Sequence, residues 1–300
     1  MNKNLSINGI ITPLITPLNN DFSLDITSLQ KILDHIIDGG VKGIFVLGTT
    51  GEFSSFSIDF RRQIIREVCR IVDARVPVLI GVSSCSFTET EELIQEAKKV
   101  KADAVVASPP FYFWMSQNEL IEYYLQIANK SSIPVYLYNI PSLTKTRIEP
   151  NTAKILSNHA NIIGLKDSSG DMNYFEELGR LFENTNFQLF VGPEEHLQEA
   201  LQLGANGGVN GGSNIFPEWY VKLFEAFQVN DFGTVRELQN KIHKLSEKVY
   251  HLSDSPTGYL QGLKAAMTHQ NFCQNILAPP MAALPNEFKA GLEERLKEFV

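Results

Sequence analysis

Short apolar runs rich in β-branched residues alternate along the chain with longer segments of helical spacing. Each run is six to eight residues long, which is typical of a strand covered on both faces. The eight predicted strands cover residues 9–16, 43–48, 77–82, 102–108, 134–139, 162–168, 187–192 and 207–212. This pattern predicts a sheet whose strands are separated by helices.

The segments between the strands carry one apolar stripe each. In "SLDITSLQKILDHIIDGG", Leu29, Ile32, Leu33 and Ile36 share one helical face, and the paired glycines supply a stop. Strands joined by helices are expected to be parallel, because parallel neighbours need crossover connections. Eight such units predict a closed (β/α)₈ TIM barrel, with an open, doubly wound sheet as the competing arrangement.

Beyond the eighth strand the chain has helical spacing only, as in "DFGTVRELQNKIHKLSEKVYHL". With no linker or low-complexity tract, we predict a barrel over residues 1–216 and an added C-terminal helical region over 217–300 that packs on it.

Composition narrows the class of protein. With 43% hydrophobic and 20% charged residues and no apolar run long enough to span a membrane, we expect an ordinary soluble protein. The net charge of −8 argues against nucleic-acid binding. Three scattered cysteines indicate neither disulfides nor a zinc site and fit a cytoplasmic protein. Prolines interrupt the apolar start, so we interpret it as mature sequence rather than a secretory signal.

Lys166 lies in the predicted sixth strand, within "IIGLKDSSGD". A buried lysine is rare, because desolvating an ammonium is costly and favours the uncharged, nucleophilic amine. The alternatives are a lysine that extends outward from the strand end or one that pairs with Asp167 or Glu52.

Three further motifs follow predicted strands, where a barrel carries its active site. "GTTGE" after strand two could present N–H groups and hydroxyls to an anion, or form an ordinary capped turn. Tyr138, in "YNIP" after strand five, could relay protons to Lys166 or could simply pack. "PPFYFW" after strand four could face a partner or could cover its own barrel.

These motifs, GTTGE, YNIP and GLKDSSGD, occur in an order that resembles the dihydrodipicolinate synthase and N-acetylneuraminate lyase superfamily over about residues 8–300. The resemblance implies a TIM barrel with C-terminal helices, a homotetramer built as a dimer of dimers, and Schiff-base chemistry on pyruvate or another 2-oxo acid. It implies no metal and no organic cofactor, and no nucleic-acid or membrane partner.

The resemblance also implies roles for individual residues. Lys166 is expected to form the Schiff base and Tyr138 to relay protons. Thr49 and Thr50 are expected to bind the carboxylate, with Gly48 beside them. Tyr112 is expected to reach a neighbouring subunit's site, where it completes a hydroxyl chain with Thr49 and Tyr138.

Substrate choice rests on fewer residues. Synthases of this superfamily carry an arginine two residues after the YNxP proline, and this chain has Leu143 there, with Lys145 and Arg147 as the nearest substitutes. The resemblance to neuraminate lyases and related sugar-acid aldolases implies that Glu194 and Glu195, in "VGPEEH", bind substrate hydroxyls. Gly192 in the same motif and Asn210 on strand eight are also expected to bind substrate.

We therefore predict reversible aldol cleavage of a 2-oxo-3-deoxy sugar acid to pyruvate and an aldehyde. The alternatives are 4-hydroxy-tetrahydrodipicolinate synthase, which joins pyruvate to aspartate semialdehyde, a dehydratase or deaminase that uses the same imine, and a catalytically silent barrel that senses a 2-oxo acid.

Overall fold

Eight parallel strands close into a barrel in the order β1 to β8. The structure is a computed structural model and describes residues 5–252 and 255–299. The strands are β1 Gly9–Pro13, β2 Gly43–Val46, β3 Val78–Gly81, β4 Ala104–Ala107, β5 Val135–Asn139, β6 Ile162–Asp167, β7 Gln188–Val191 and β8 Gly207–Gly208. The predicted TIM barrel is confirmed, and the open sheet is wrong.

Helices follow the strands around the outside of the barrel. They are α1 Ile26–Asp38, α2 Ile58–Val72, α3 Phe87–Lys99, α4 Gln117–Lys130, α5 Pro141–Thr144, α6 Pro150–Leu156, α7 Met172–Phe182 and α8 Leu197–Gln202. The predicted stripe of α1 is buried, and the Asp25 side chain caps its first turn by accepting from the Ser28 N–H at 3.0 Å.

Alternation along each strand produces two cores. Inward side chains such as Phe45, Tyr136 and Tyr138 fill the barrel, while outward ones such as Leu137 and Leu165 pack under the helices. Tyr136 and Tyr138 on β5 both face inward because successive side chains of a strand alternate between its two faces.

The C-terminal region is helical, as the sequence predicts. It contains α9 Pro217–Gln228, α10 Phe232–Leu245, a π-helical turn at Ser246–Tyr250, α11 Gly258–His269 and α12 Asn286–Leu296. Helix α9 packs against β1, where the helix after the eighth strand of a barrel belongs. The division at residues 216 and 217 stays a prediction. Within residues 5–252 and 255–299, no helix is both long and apolar enough to cross a membrane.

Candidate active site

Lys166 and Tyr138 are neighbours in the barrel wall, because β5 and β6 pair with these two residues in register. Lys166 is 7% exposed, and its Nζ lies 4.2 Å from the centre of the Tyr138 ring and 5.1 Å from that of Phe45. Beneath the lysine the barrel is filled by side chains such as Ile11 and Phe190. The amine thus sits at the top of an apolar core.

No described residue forms a salt bridge or hydrogen bond with Lys166 Nζ. The Asp167 carboxylate instead accepts from Asn139 Nδ2 at 2.7 Å, and its burial raises its pKa. The Glu52 carboxylate pairs with the buried Lys264 and accepts from the Ala278 N–H at 2.7 Å. Both pairings considered for Lys166 are therefore wrong. The aromatic rings attract a cation but supply no counter-charge.

The GTTGE turn after β2 brings hydroxyls and N–H groups to the same end of the barrel. Thr49 Oγ1 lies 3.2 Å from the Tyr138 hydroxyl, and Thr50 Oγ1 lies 3.1 Å from that of Tyr259. The backbone N–H groups of Thr49 and Thr50 donate to no residue that the structure describes. Gly48 is required by close packing, because a Cβ there would lie 2.7 Å from the Phe45 ring. The turn can therefore offer two N–H donors to an anion.

Glu194 follows β7 in the chain and lies on another side of the same opening. Its Oε1 accepts from the Tyr220 hydroxyl at 2.5 Å and from the Tyr250 hydroxyl at 2.9 Å, and its Oε2 accepts from the Gly212 N–H at 2.8 Å. Burial, reinforced by the charge of Glu195, raises the pKa of Glu194 to about 7, although the three donors oppose that shift. The Glu195 carboxylate accepts from the Ser246 hydroxyl.

A cavity of about 610 Å³ opens at the C-terminal ends of the strands and joins these groups. Seven of the ten residues predicted from sequence line it: Lys166, Tyr138, Thr49, Thr50, Gly192, Glu194 and Glu195. Since these residues come from strands across the barrel, the cavity is the candidate active site.

The other three predicted residues lie off the described lining. Gly48 is buried against the Phe45 ring. Asn210 is fully buried, with its Nδ2 donating to the carbonyl oxygens of Val191 and Gly192. Tyr112 is 71% exposed and packs edge-on against Phe113. Whether Tyr112 contacts a neighbouring subunit stays a prediction. Of the four aromatic residues in this loop, Phe111 alone lines the cavity, so only Phe111 agrees with the alternative that the loop covers its own barrel.

The C-terminal region supplies lining residues that the sequence did not single out. They are Tyr250, Pro256, Thr257, Tyr259, Leu260 and Met281. On their helices the tyrosines have the spacing of ordinary core residues. The available signal was the glycine pair in "NGGSN", which leaves space beside β8 for large side chains.

Charge in the cavity is uneven. Among the described lining residues, Lys166 is the only lysine or arginine, whereas three are glutamates: Glu52, Glu194 and Glu195. Arg147 is held by Asp171 through two contacts of 3.1 Å and does not line the cavity. Leu143 lines it and is exposed. A substrate with a second carboxylate would find no guanidinium among the lining residues that the structure describes.

A larger groove of about 720 Å³ lies at the opposite end of the barrel, beside residues that precede the strands, such as Pro134 and Asn161. None of the seven residues gathered around Lys166 lines it. In this fold the N-terminal face serves stability and the C-terminal face chemistry. We therefore assign the chemistry to the cavity at Lys166.

Comparison with known proteins agrees with this geometry. The Dihydrodipicolinate synthetase family matches residues 6–299. The chain belongs to this family. Members of the family are class I aldolase-type lyases, and the chain is an enzyme of that type.

Individual family members differ in activity. The chain is 35% identical over 240 residues to the probable 2-dehydro-3-deoxy-D-pentonate aldolase YjhH of Escherichia coli, covering 79% of this chain and 80% of that one. It is similar to the crystal structure of Escherichia coli YagE in complex with pyruvate, with 31% identity, a TM-score of 0.92 and coverage of 97% and 98%. It is also similar to the dihydrodipicolinate synthase of Bacteroides thetaiotaomicron, with 40% identity, a TM-score of 0.94 and coverage of 98% and 100%.

Proposed function

We propose that the enzyme cleaves a 2-oxo-3-deoxy sugar acid reversibly to pyruvate and an aldehyde, through an imine on Lys166. The observation that carries the chemistry is the buried amine of Lys166, which has no counter-ion among the described residues and lies in register with Tyr138. An amine in such surroundings is suited to attack a carbonyl carbon.

The reaction begins when the uncharged amine of Lys166 attacks the ketone carbon of the substrate. The resulting carbinolamine loses water and becomes a protonated imine. That imine draws in the electron pair of the bond between the third and fourth carbons as the fourth-carbon hydroxyl loses its proton. The aldehyde leaves, and the remaining enamine gains a proton and is hydrolysed to pyruvate. No metal or organic cofactor takes part in these steps.

Tyr138 and the GTTGE turn have separate roles in this scheme. The Tyr138 hydroxyl carries protons to and from the atoms attached to the amine, and Thr49, at 3.2 Å, connects it to the turn. The carboxylate of the 2-oxo acid accepts from the backbone N–H groups of Thr49 and Thr50 and from the Thr50 hydroxyl. Thr50 is buried and its hydroxyl lies 3.1 Å from that of Tyr259, so these groups are positioned before the substrate arrives, which supports their use as a preorganised anion site.

The rest of the cavity favours a hydroxylated tail over a second acid group. Glu195 can accept from substrate hydroxyls, and Thr257 and Ser142 add further hydroxyls to the lining. Aspartate semialdehyde is disfavoured because the described lining contains no arginine and no second lysine to bind its carboxylate. In the segment after β5, the lining residues include Leu143. The similarity to YjhH, and to YagE, which is named a putative 2-dehydro-3-deoxy-D-gluconate aldolase, supports the same choice.

One observation favours a second candidate, 4-hydroxy-tetrahydrodipicolinate synthase. The structural relative with 40% identity is a dihydrodipicolinate synthase. Product assays separate the two: pyruvate with glyceraldehyde is expected to give a sugar acid, and pyruvate with aspartate semialdehyde is expected to give none. Condensation with aspartate semialdehyde alone would overturn the proposed substrate class.

The imine is tested by adding borohydride in the presence of pyruvate and mapping the modified lysine by mass spectrometry. Lys264 provides an internal control, because it is also buried, at 2% exposure, but is paired with Glu52. We expect alkylation of Lys166, none of Lys264, and loss of the label and of turnover in Lys166→Ala. An unlabelled Lys166, or turnover in Lys166→Ala at the wild-type rate, would contradict the mechanism.

A further inference from the structure

Two glycines that follow β8 leave room for tyrosine hydroxyls from the C-terminal region. A Cβ built on Gly211 would overlap the hydroxyl of Tyr259, and one built on Gly212 would overlap that of Tyr220. Both hydroxyls therefore reach the top of the barrel only because these two positions lack side chains. Tyr220 binds Glu194, whereas Tyr259 reaches the GTTGE turn.

The Tyr259 hydroxyl has a defined partner. It lies 3.1 Å from Thr50 Oγ1, and its ring packs edge-on against Tyr250, with the ring centres 4.8 Å apart. Burial raises the pKa of Tyr259, so the phenol keeps its proton and remains a donor. Thr50 itself is buried, and among the described residues its hydroxyl contacts that of Tyr259.

The direction of this hydrogen bond matters for the bound anion. A threonine hydroxyl has one proton to donate and can accept through its lone pairs. If Thr50 donated to Tyr259, its oxygen would face an incoming carboxylate with lone pairs and repel it. If Tyr259 donates, the Thr50 proton is free to point into the cavity. Carboxylate binding therefore requires the second orientation.

We propose that Tyr259 is a positioning residue, which donates to Thr50 Oγ1 and thereby directs the Thr50 proton at the carboxylate of the 2-oxo acid. The inference rests on the carboxylate site proposed above and extends it to a residue of the C-terminal region. It also gives a reason for Gly211, which leaves the space that the phenol occupies.

The test is the affinity for pyruvate, measured by calorimetry on the assembled wild-type enzyme and on three variants. Tyr259→Phe keeps the ring against Tyr250 and removes only the donor, so Kd is expected to rise roughly tenfold, the lower end of the range for one hydrogen bond to a charged group. Thr50→Val is expected to weaken binding similarly. The double variant is expected to be no weaker than Thr50→Val, because the phenol acts through that hydroxyl.

Tyr124→Phe is the matched control. It also removes one buried tyrosine hydroxyl, which donates to the Ala107 carbonyl at 3.1 Å outside the cavity. Its Kd is expected to equal that of the wild type. An unchanged Kd in Tyr259→Phe, or losses in the two single variants that add fully in the double variant, would overturn the inference.

A second pair of variants tests the role of the glycine. Gly211→Ala is expected to displace the phenol and reproduce the rise in Kd, whereas Gly291→Ala, where a Cβ meets nothing within 4 Å, is expected to change nothing. A wild-type Kd in Gly211→Ala would count against the inference.

The calorimetric result is separate from the borohydride result. Pyruvate that binds without labelling Lys166 would overturn the imine mechanism, while the Kd comparison would still decide the role of Tyr259. Pyruvate that does not bind to the wild-type enzyme would overturn both.

Discussion

Tyr138 contributes a ring and a hydroxyl to the site, and a single substitution separates them. Tyr138→Phe keeps the ring over Lys166 and removes the hydroxyl near Thr49. We expect kcat to fall on the order of 10²- to 10⁴-fold, with a much smaller change in pyruvate affinity, because a proton relay acts in the chemical steps. Steady-state kinetics measure kcat, and calorimetry with pyruvate measures the affinity.

The control for that experiment lies two residues earlier on the same strand. Tyr136 faces the same barrel interior, but its hydroxyl donates to Gln188 Oε1 at 3.1 Å, below the site. Tyr136→Phe is expected to keep kcat near the wild-type value. A similar fall in kcat in both variants would indicate loss of packing and would count against a proton relay at Tyr138.

Glu194 predicts a pH dependence of stability. Its pKa is raised from 4.5 in the unfolded chain to about 7 in the folded protein, so between those values the folded protein keeps a proton that the unfolded chain has released. Stability should therefore fall as pH rises from 4.5 to 7, by up to roughly 3 kcal/mol.

Glu194→Gln provides the reference, because an amide does not titrate. Urea unfolding across this range is expected to show the wild type losing stability relative to the variant as pH rises, whatever their difference at any one pH. A constant difference between pH 4.5 and 7 would show that Glu194 titrates alike in both states.

At the residue scale, the sequence predicted the site residues on the strands but missed the cavity-lining residues of the C-terminal region. Lys166 and Tyr138 could be placed at the cavity because strand ends have a known place in a barrel, while the roles expected of them came from the family resemblance. Tyr259 lies 209 residues from Thr50, and no local pattern relates the two. Its hydroxyl can reach Thr50 only because Gly211 has no side chain, and this packing relation is not visible in the spacing of residues along the sequence.

At the element scale, helix α11 links the C-terminal region to the turn after β2. Its Lys264 pairs with Glu52, and both side chains are almost completely buried. Glu52 has a left-handed backbone, with φ of 60°, and lies two residues after Thr50. The ion pair therefore fixes the end of the turn that presents Thr49 and Thr50.

Lys264→Met tests this link by leaving the Glu52 carboxylate buried without its cation. We expect a loss of about 3–5 kcal/mol in the free energy of unfolding, measured by urea denaturation, because an uncompensated buried charge is costly. Adding Glu52→Gln should recover part of the loss, since the neutral amide can still accept from the Ala278 N–H. A double variant less stable than Lys264→Met would contradict this account.

The sequence predicted the order of the strands but not the residues at which they end. Strand β5 was predicted within one residue, whereas β1 and β8 were predicted over residues 9–16 and 207–212 and end at Pro13 and Gly208. After β8 the chain turns into a short 3₁₀ helix at Gly211–Asn214. Apolar and small residues continue past the last ladder bond, so composition alone does not reveal where pairing stops.

At the scale of the whole molecule, the loop after β4 exposes three adjacent aromatic side chains. Tyr112, Phe113 and Trp114 are 71%, 74% and 76% exposed in the single chain. Exposed aromatic side chains grouped in this way are typical of protein interfaces. They support the predicted homotetramer, in which this loop would meet a second copy and Tyr112 would approach its active site.

Trp114→Glu tests that assembly, because a carboxylate in a packed interface is costly to desolvate. Analytical ultracentrifugation is expected to show smaller species than the wild type, with reduced turnover. Val229→Glu is the control, since Val229 is equally exposed, at 73%, but lies on the turn between α9 and α10. Tyr112→Phe is expected to keep the assembly and lower kcat, because it removes only the hydroxyl. Trp114→Glu that sediments like the wild type would show that this loop holds no copies together.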